Sequence, residues 1–173
     1  RFTNFYTHAS CSPTRAMLLS GVDTHLNGLG NMDEWTAPNQ RGAVGYEGYL
    51  NNRVVTLPQL LHGAGYATQA VGKWHMGENF ASQPQNAGFD DFFGFLSVSD
   101  MYTEWRDPYF FPEVVYSEER RNWVENLPFN KCWVHAQRGG QPEVVEEVTI
   151  PVLSRLDDEW AAYSERFIER MAS

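Results

Sequence analysis

Residues 56–77 read TLPQLLHGAGYATQAVGKWHMG, and this stretch decides the fold class. Thr56 can cap a helix whose apolar residues recur at helical spacing. Those apolar residues are Leu57, Leu60, Leu61 and Ala64. Gly65 ends the helix, and residues 67–71 then predict a short buried strand. A helix that turns directly into a buried strand is typical of the α/β class.

The chain before this stretch predicts a strand, a helix and a long loop. Residues 1–8 predict a short strand followed by a turn. Residues 13–19 predict a helix, with Ser12 as its N-cap and Gly21 as its stop. Residues 21–55 are rich in Gly and Asn without a clear period, which predicts a loop. A loop of that length in a compact domain is usually functional, often as one wall of a site.

The chain after the stretch alternates between regular and irregular predictions. Residues 88–95 predict a turn that enters a strand, whereas prolines and paired glycines predict irregular structure over 100–141. Residues 144–150 predict a strand or one arm of a hairpin. A last helix is predicted to start near Asp157. Its apolar face comprises Trp160, Tyr163, Phe167, Ile168 and Met171.

Composition and net charge indicate a globular domain and argue against some classes of binding partner. Of the 173 residues, 42% are hydrophobic and 20% are charged, which predicts one globular domain. A net charge of −9 argues against nucleic acid, because phosphate binding needs a basic surface. The chain lacks an apolar run of the roughly 18 to 20 residues that a membrane span requires. The cysteines, Cys11 and Cys132, are too far apart in sequence to indicate a disulfide framework.

The first cluster with chemical potential is CSPTR at residues 11–15. Cys11 comes just before a predicted helix, where free backbone N–H groups and the helix dipole favour negative charge. Arg15 adds a fixed cation one turn away. This arrangement suits an anion-binding or nucleophilic cysteine, although a buried structural cysteine beside a surface arginine is the simpler alternative. A thiol phosphatase is a weaker alternative, because its loop places five residues between Cys and Arg and this chain has three.

The second cluster is GKWHMG at residues 72–77, directly after the predicted strand. Ligands of open α/β sheets gather at the carboxyl ends of strands, where Lys73 and His75 are expected. In extended chain their side chains point the same way, because strand side chains alternate. Lys73 suits an anion and His75 suits proton transfer, while the plain alternative is a solvated edge.

Together the two clusters resemble the signature motifs of the type I sulfatases. GYEGYLN at residues 45–51 is similar to the bacterial arylsulfatase branch of that family. The resemblance runs from residue 1 to about 97 and returns in the helix over 157–171. It implies part of an alkaline-phosphatase-like sulfatase fold, with a mixed, mostly parallel sheet flanked by helices. Residues 1–173 are then expected to be a partial catalytic domain, truncated at both ends, that lacks the N-terminal strand and the C-terminal half.

The resemblance also implies a mechanism. A maturation enzyme would oxidise Cys11 to formylglycine; one hydroxyl of the hydrated aldehyde attacks sulfur and expels the alcohol, and the other releases sulfate. Arg15 would hold the diol, Lys73 would bind a sulfate oxygen, and His75 would accept a proton. The substrate would be a small sulfate ester or a sulfated glycan, and a periplasmic or secreted location is favoured.

The family also binds a divalent cation, usually Ca²⁺, for which the modified Cys11 would be one ligand. The other metal ligands and the leaving-group acid are expected outside this chain, so the chain alone is expected to be inactive. Asp90 and Asp91 fit a turn and are not expected to bind the metal. A phosphonate monoester hydrolase or phosphodiesterase of the same superfamily and a non-catalytic anion-binding homologue remain alternatives.

Overall fold

The computed structural model describes residues 1–97 and 131–172, together with the isolated residues 109, 112, 113, 118 and 129. The helices are α1 (Cys11–Ser20), α2 (Thr24–Asn27), α3 (Leu57–Gly63), α4 (Ile150–Leu153) and α5 (Leu156–Ala172), and two short 3-10 helices span Asp33–Trp35 and Phe80–Ser82. The strands are β1 (Gln69–Lys73), β2 (Asp91–Phe95), β3 (Cys132–Gln137) and β4 (Glu143–Glu147). Among these helices, none has the length and apolar character that crossing a membrane would need.

The strands form one sheet in the order β1-β2-β3-β4. β1 pairs with β2 in parallel, and β2–β3 and β3–β4 pair antiparallel. The expected mixed α/β sheet is confirmed, although within the described residues its parallel part is limited to one strand pair. Gly94 lies opposite Gly72 across that pair, and a Cβ built on Gly94 would stand 1.9 Å from the Gly72 carbonyl oxygen. Glycine at position 94 therefore allows the close approach of β1 and β2.

Both faces of β2 are covered, because its side chains alternate between two apolar clusters. Phe92 packs toward the cluster that contains Ala16 of α1. Phe93 and Phe95 pack toward the opposite cluster, which also includes Trp133, Val148, Val152 and Leu156. Trp160 and Tyr163 of α5 lie against the second cluster. The sheet is thus held between α1 with its following loop and α5.

Local sequence signals gave several correct predictions. Thr56 caps α3 through a complete capping box with Gln59, and Gly21 closes α1 in the left-handed conformation with φ of 66°. The hairpin arm is confirmed as β4, and the last helix starts one residue before Asp157. The strand predicted over 67–71 exists two residues further on, as β1.

Other predictions were wrong. Residues 1–8 contain no strand in the structure. Ser10 is the N-cap of α1, so Ser12 lies inside the helix and is buried. β3 falls within the stretch predicted to be irregular, most of whose remainder lies outside the described residues. Ile168 and Met171 of α5 are exposed, so the apolar face of this helix is only partly covered.

Candidate active site

Cys11 is the first residue of α1 and is exposed. Ser10 before it is extended, with φ of −120° and ψ of 160°, and so turns the incoming chain away from the helix axis. The Thr14 hydroxyl donates to the carbonyl oxygen of His8 at 2.9 Å, which fixes that entry. Ala16 on the inner side of the helix is fully buried. Cys11 is therefore held at the positive end of an anchored helix, where a negative charge is stabilised.

Arg15 joins this helix to the second cluster. Its Nε donates to the carbonyl oxygen of Trp74 at 2.7 Å, and one terminal N–H donates to the carbonyl oxygen of Lys73. Burial lowers the pKa of Arg15 below its ordinary value, while the nearby Cys11 acts in the opposite direction. Arginine stays a cation under such conditions. Arg15 thus brings a fixed positive charge to Cys11 and docks α1 on the backbone of the second motif.

The backbone changes direction after β1. β1 ends at Lys73, yet Trp74 and His75 still donate from their backbone N–H groups to the carbonyl oxygens of Phe95 and Leu96. His75 has φ of 55°, the left-handed region that non-glycine residues rarely adopt. The extended chain assumed at His75 is not found, because the residue is left-handed and strand alternation does not apply to it. That the Lys73 and His75 side chains share one direction stays a prediction.

His75 is almost fully buried, with 7% of its surface exposed. Its Nε2 lies 3.0 Å from Oε1 of Glu34. Its Nδ1 is buried and has no hydrogen-bond partner among the described residues. The neighbouring Trp74 is a core residue whose indole N–H donates to the carbonyl oxygen of Ser82 at 2.9 Å. His75 is therefore held on one side by Glu34 and by the packed turn around Trp74.

Glu34 is the site residue that sequence reasoning missed. It lies in the 3-10 helix Asp33–Trp35, within the long loop that was predicted to form a site wall. Burial acts to raise the pKa of Glu34, but the hydrogen bond from His75 and the charges of His75 and Lys73 hold that pKa below its ordinary value. Its only sequence signal was its presence in that loop, since a contact across 41 positions leaves no local pattern.

Asp90 and Asp91 both accept hydrogen bonds within the fold, and Asp91 is the first residue of β2 rather than part of the predicted turn. Asp90 accepts from the backbone N–H and hydroxyl of Thr68 and from Arg138. Asp91 accepts from Tyr163 and His135 and so ties α5 to the sheet.

Comparisons with known proteins identify the family. A sequence model described as Sulfatase matches residues 1–172. The chain belongs to the sulfatase family. An uncharacterized sulfatase of Schizosaccharomyces pombe is 50% identical over 99 residues, which cover 56% of this chain and 18% of that protein. Mouse arylsulfatase G is 32% identical over 177 residues, which cover all of this chain and 31% of that protein.

The fold agrees with that membership. The crystal structure of the sulfatase PsFucS1 from a Pseudoalteromonas species superposes with a TM-score of 0.73 and 25% identity, covering 96% of this chain and 32% of that one. This sulfatase chain therefore spans between about a fifth and a third of the relatives it matches.

Sulfatases generally depend on formylglycine and on a metal ion. Cys11 fits the formylglycine position, because it is exposed at a helix start with Arg15 beside it. The described residues do not fit a metal centre by themselves: within 1–97 and 131–172, no group of three or more His, Cys, Asp or Glu side chains is arranged to hold an ion.

Proposed function

We propose that this chain carries the nucleophile and its cationic partners in an enzyme that hydrolyses aryl or alkyl sulfate esters, and that residues 1–173 are part of its catalytic domain. The main support is the pair of bonds from Arg15 to the carbonyl oxygens of Lys73 and Trp74. These bonds connect the helix of Cys11 to the turn of His75. An anionic ester needs such a grouping of cations, a nucleophile and a proton acceptor.

Cys11 is proposed to be converted to formylglycine by a maturation enzyme that recognises CSPTR at residues 11–15. Hydrated formylglycine supplies one hydroxyl for attack on sulfur and a second for release of sulfate. The exposed position of Cys11 at the start of α1 supports this role. The helix N-terminus and Arg15 favour negative charge on an oxygen at this position.

Lys73 and His75 are proposed to bind the sulfate group and to accept a proton during its release, respectively. Lys73, at the carboxyl end of β1, would bind a sulfate oxygen as a point charge. His75 would accept a proton as sulfate is released, through the ring nitrogen that Glu34 does not occupy. A divalent cation, expected to be Ca²⁺, would take one ligand from the modified Cys11. The described residues contain no group of three or more His, Cys, Asp or Glu side chains that could complete its site.

The substrate class proposed is a small sulfate ester or a sulfated glycan, in the periplasm or outside the cell. Two lines support sulfate over phosphorus esters: the family match over residues 1–172 and relatives named as arylsulfatases. The net charge of −9 makes the local cations Arg15 and Lys73 necessary for any anionic substrate.

Kinetics on matched substrates test this function. The protein isolated from its native host is assayed with 4-nitrophenyl sulfate and with a 4-nitrophenyl phosphonate monoester. We expect kcat/KM to favour the sulfate ester, and Cys11→Ala to abolish turnover. Preference for the phosphonate would support the alternative hydrolase. Binding of sulfate esters without turnover, in protein with a converted Cys11, would support an anion-binding homologue.

A further inference from the structure

We infer that Glu34 is a positioning residue that fixes the tautomer of His75, an assignment that rests on the proposed function. His75 Nε2 is 3.0 Å from Oε1 of Glu34. A carboxylate can only accept, so Nε2 carries the hydrogen. In the neutral ring, Nδ1 is then the nitrogen that has a free lone pair. Glu34 thereby decides which atom of His75 can receive a proton.

In this contact His75 is the buried partner and Glu34 the more exposed one. The His75 side chain is 8% exposed, whereas that of Glu34 is 35% exposed. Nδ1 of His75 is shielded and has no partner among the described residues. A buried polar atom without a partner costs free energy, and a role in catalysis is one of the reasons for which native structures retain such an atom. Nδ1 is the one unoccupied proton acceptor on this ring.

The backbone conformation of His75 also supports the positioning role of Glu34. Its φ of 55° requires a left-handed conformation that costs free energy in a residue with a side chain. Backbone bonds to Leu96 and the docking of Arg15 on Trp74 hold the segment in that conformation. The backbone conformation therefore places the imidazole ring next to Glu34, and the hydrogen bond to the carboxylate fixes the orientation of the ring.

Other charged side chains interact with Glu34 and His75. Glu34 interacts with Lys73 as well as with His75, and Asp33 in the same 3-10 helix also interacts with His75. Burial raises the pKa of Asp33, while Arg41 acts to lower it. Glu34 is hydrogen-bonded to the ring whereas Asp33 interacts with it only through charge, so Asp33 provides a matched control for loss of charge without loss of the bond.

Two readouts test the assignment in the protein isolated from its native host. The ¹⁵N chemical shifts of His75, identified with His75→Gln, report the tautomer. We expect the Nε2–H form in the wild type, in Glu34→Gln, whose amide oxygen still accepts, and in Asp33→Asn. We expect a mixture of tautomers in Glu34→Ala. Loss of the carboxylate partner of a metal-bound histidine typically lowers activity by about 10- to 100-fold. By analogy, we expect kcat of Glu34→Ala to fall by about that factor with KM nearly unchanged.

The two readouts separate this inference from the proposed function. An active wild type in which Glu34→Ala keeps the Nε2–H tautomer and full kcat would overturn the positioning role. Equal losses of kcat in Asp33→Asn and Glu34→Ala would also overturn it, because charge alone would then explain the effect. A wild type that shows the Nε2–H tautomer but hydrolyses no sulfate ester would contradict the proposed function while the Glu34–His75 contact stands.

Discussion

Arg15 donates from Nε to the carbonyl oxygen of Trp74 at 2.7 Å, across 59 positions of sequence. This bond and its neighbour to Lys73 make one side chain responsible for the relative placement of two motifs. The acceptors are backbone atoms, so the contact holds the turn itself and leaves the side chains of Lys73 and His75 available. Arg15 thus has a structural role in addition to its charge.

Replacement of Arg15 should weaken the fold as well as the site. Arg15→Ala removes two charge-assisted bonds at a half-buried position, each of which contributes about 1.5–3 kcal/mol. We expect its free energy of unfolding to fall by about 2–4 kcal/mol in urea titration, since partial solvent access reduces the sum. Arg41→Ala, at an exposed arginine, is the control. Equal stability of the Arg15→Ala variant and the wild type would show that the docking contact is dispensable.

A matched pair of glycine substitutions tests the close approach of β1 and β2. Gly94→Ala places a Cβ against the Gly72 carbonyl oxygen, so we expect a loss of at least about 2 kcal/mol in the free energy of unfolding. Gly63→Ala lies in α3 with open space around it and should stabilise by about 0.5–1 kcal/mol. Thermal unfolding that ranks the two variants in the opposite order would contradict the strand register.

The cap of α3 gives a third prediction. The Thr56 hydroxyl accepts from the backbone N–H of Gln59 and donates to the carbonyl oxygen of Ala87 at 2.5 Å. Thr56→Ala should cost about 1–2 kcal/mol, and Thr56→Ser, which keeps the hydroxyl, should recover most of it. Urea titration of both variants measures the difference. Equal losses in the two would mean that the methyl group rather than the hydroxyl stabilises the helix.

Stability should decrease at low pH through Asp90. Burial acts to raise the pKa of Asp90, but bonds from Arg138 and Thr68 hold it below the ordinary value. The unfolded chain therefore binds the proton first, so the contribution is present above about pH 4 and is lost as pH falls through the lower folded pKa. Asp90→Asn should flatten this pH dependence below about pH 4. An unchanged slope in Asp90→Asn would exclude this origin.

Local signals predicted α3, the stop of α1 at Gly21 and the start of α5, because caps and breakers act within a few residues. β3 was missed because its strand state comes from pairing with β2 and β4 on either side. The motifs placed Cys11, Arg15, Lys73 and His75 as candidates. Residue types alone could not predict that Arg15 binds the backbone carbonyl oxygens of Lys73 and Trp74. Nor could they predict that Glu34 is the hydrogen-bond partner of His75.

The N-cap shift from Ser12 to Ser10 shows the limit of local rules for the site itself. Both serines are suitable caps by residue type, yet Ser10 takes the N-cap position without a side-chain capping bond, and Ser12 is buried within the first turn. The consequence is that Cys11 lies in the first turn of α1 rather than before it.

The mass of the tryptic peptide 2–15, from protein made in its native host, tests the central claim most directly. Conversion of Cys11 to formylglycine exchanges sulfur and two hydrogens for oxygen, a loss of about 18 Da. We predict that loss, together with labelling of the same peptide by an aldehyde-reactive hydrazide and neither signal in Cys11→Ala. An unmodified thiol at Cys11, in a host that converts its other sulfatases, would contradict the account.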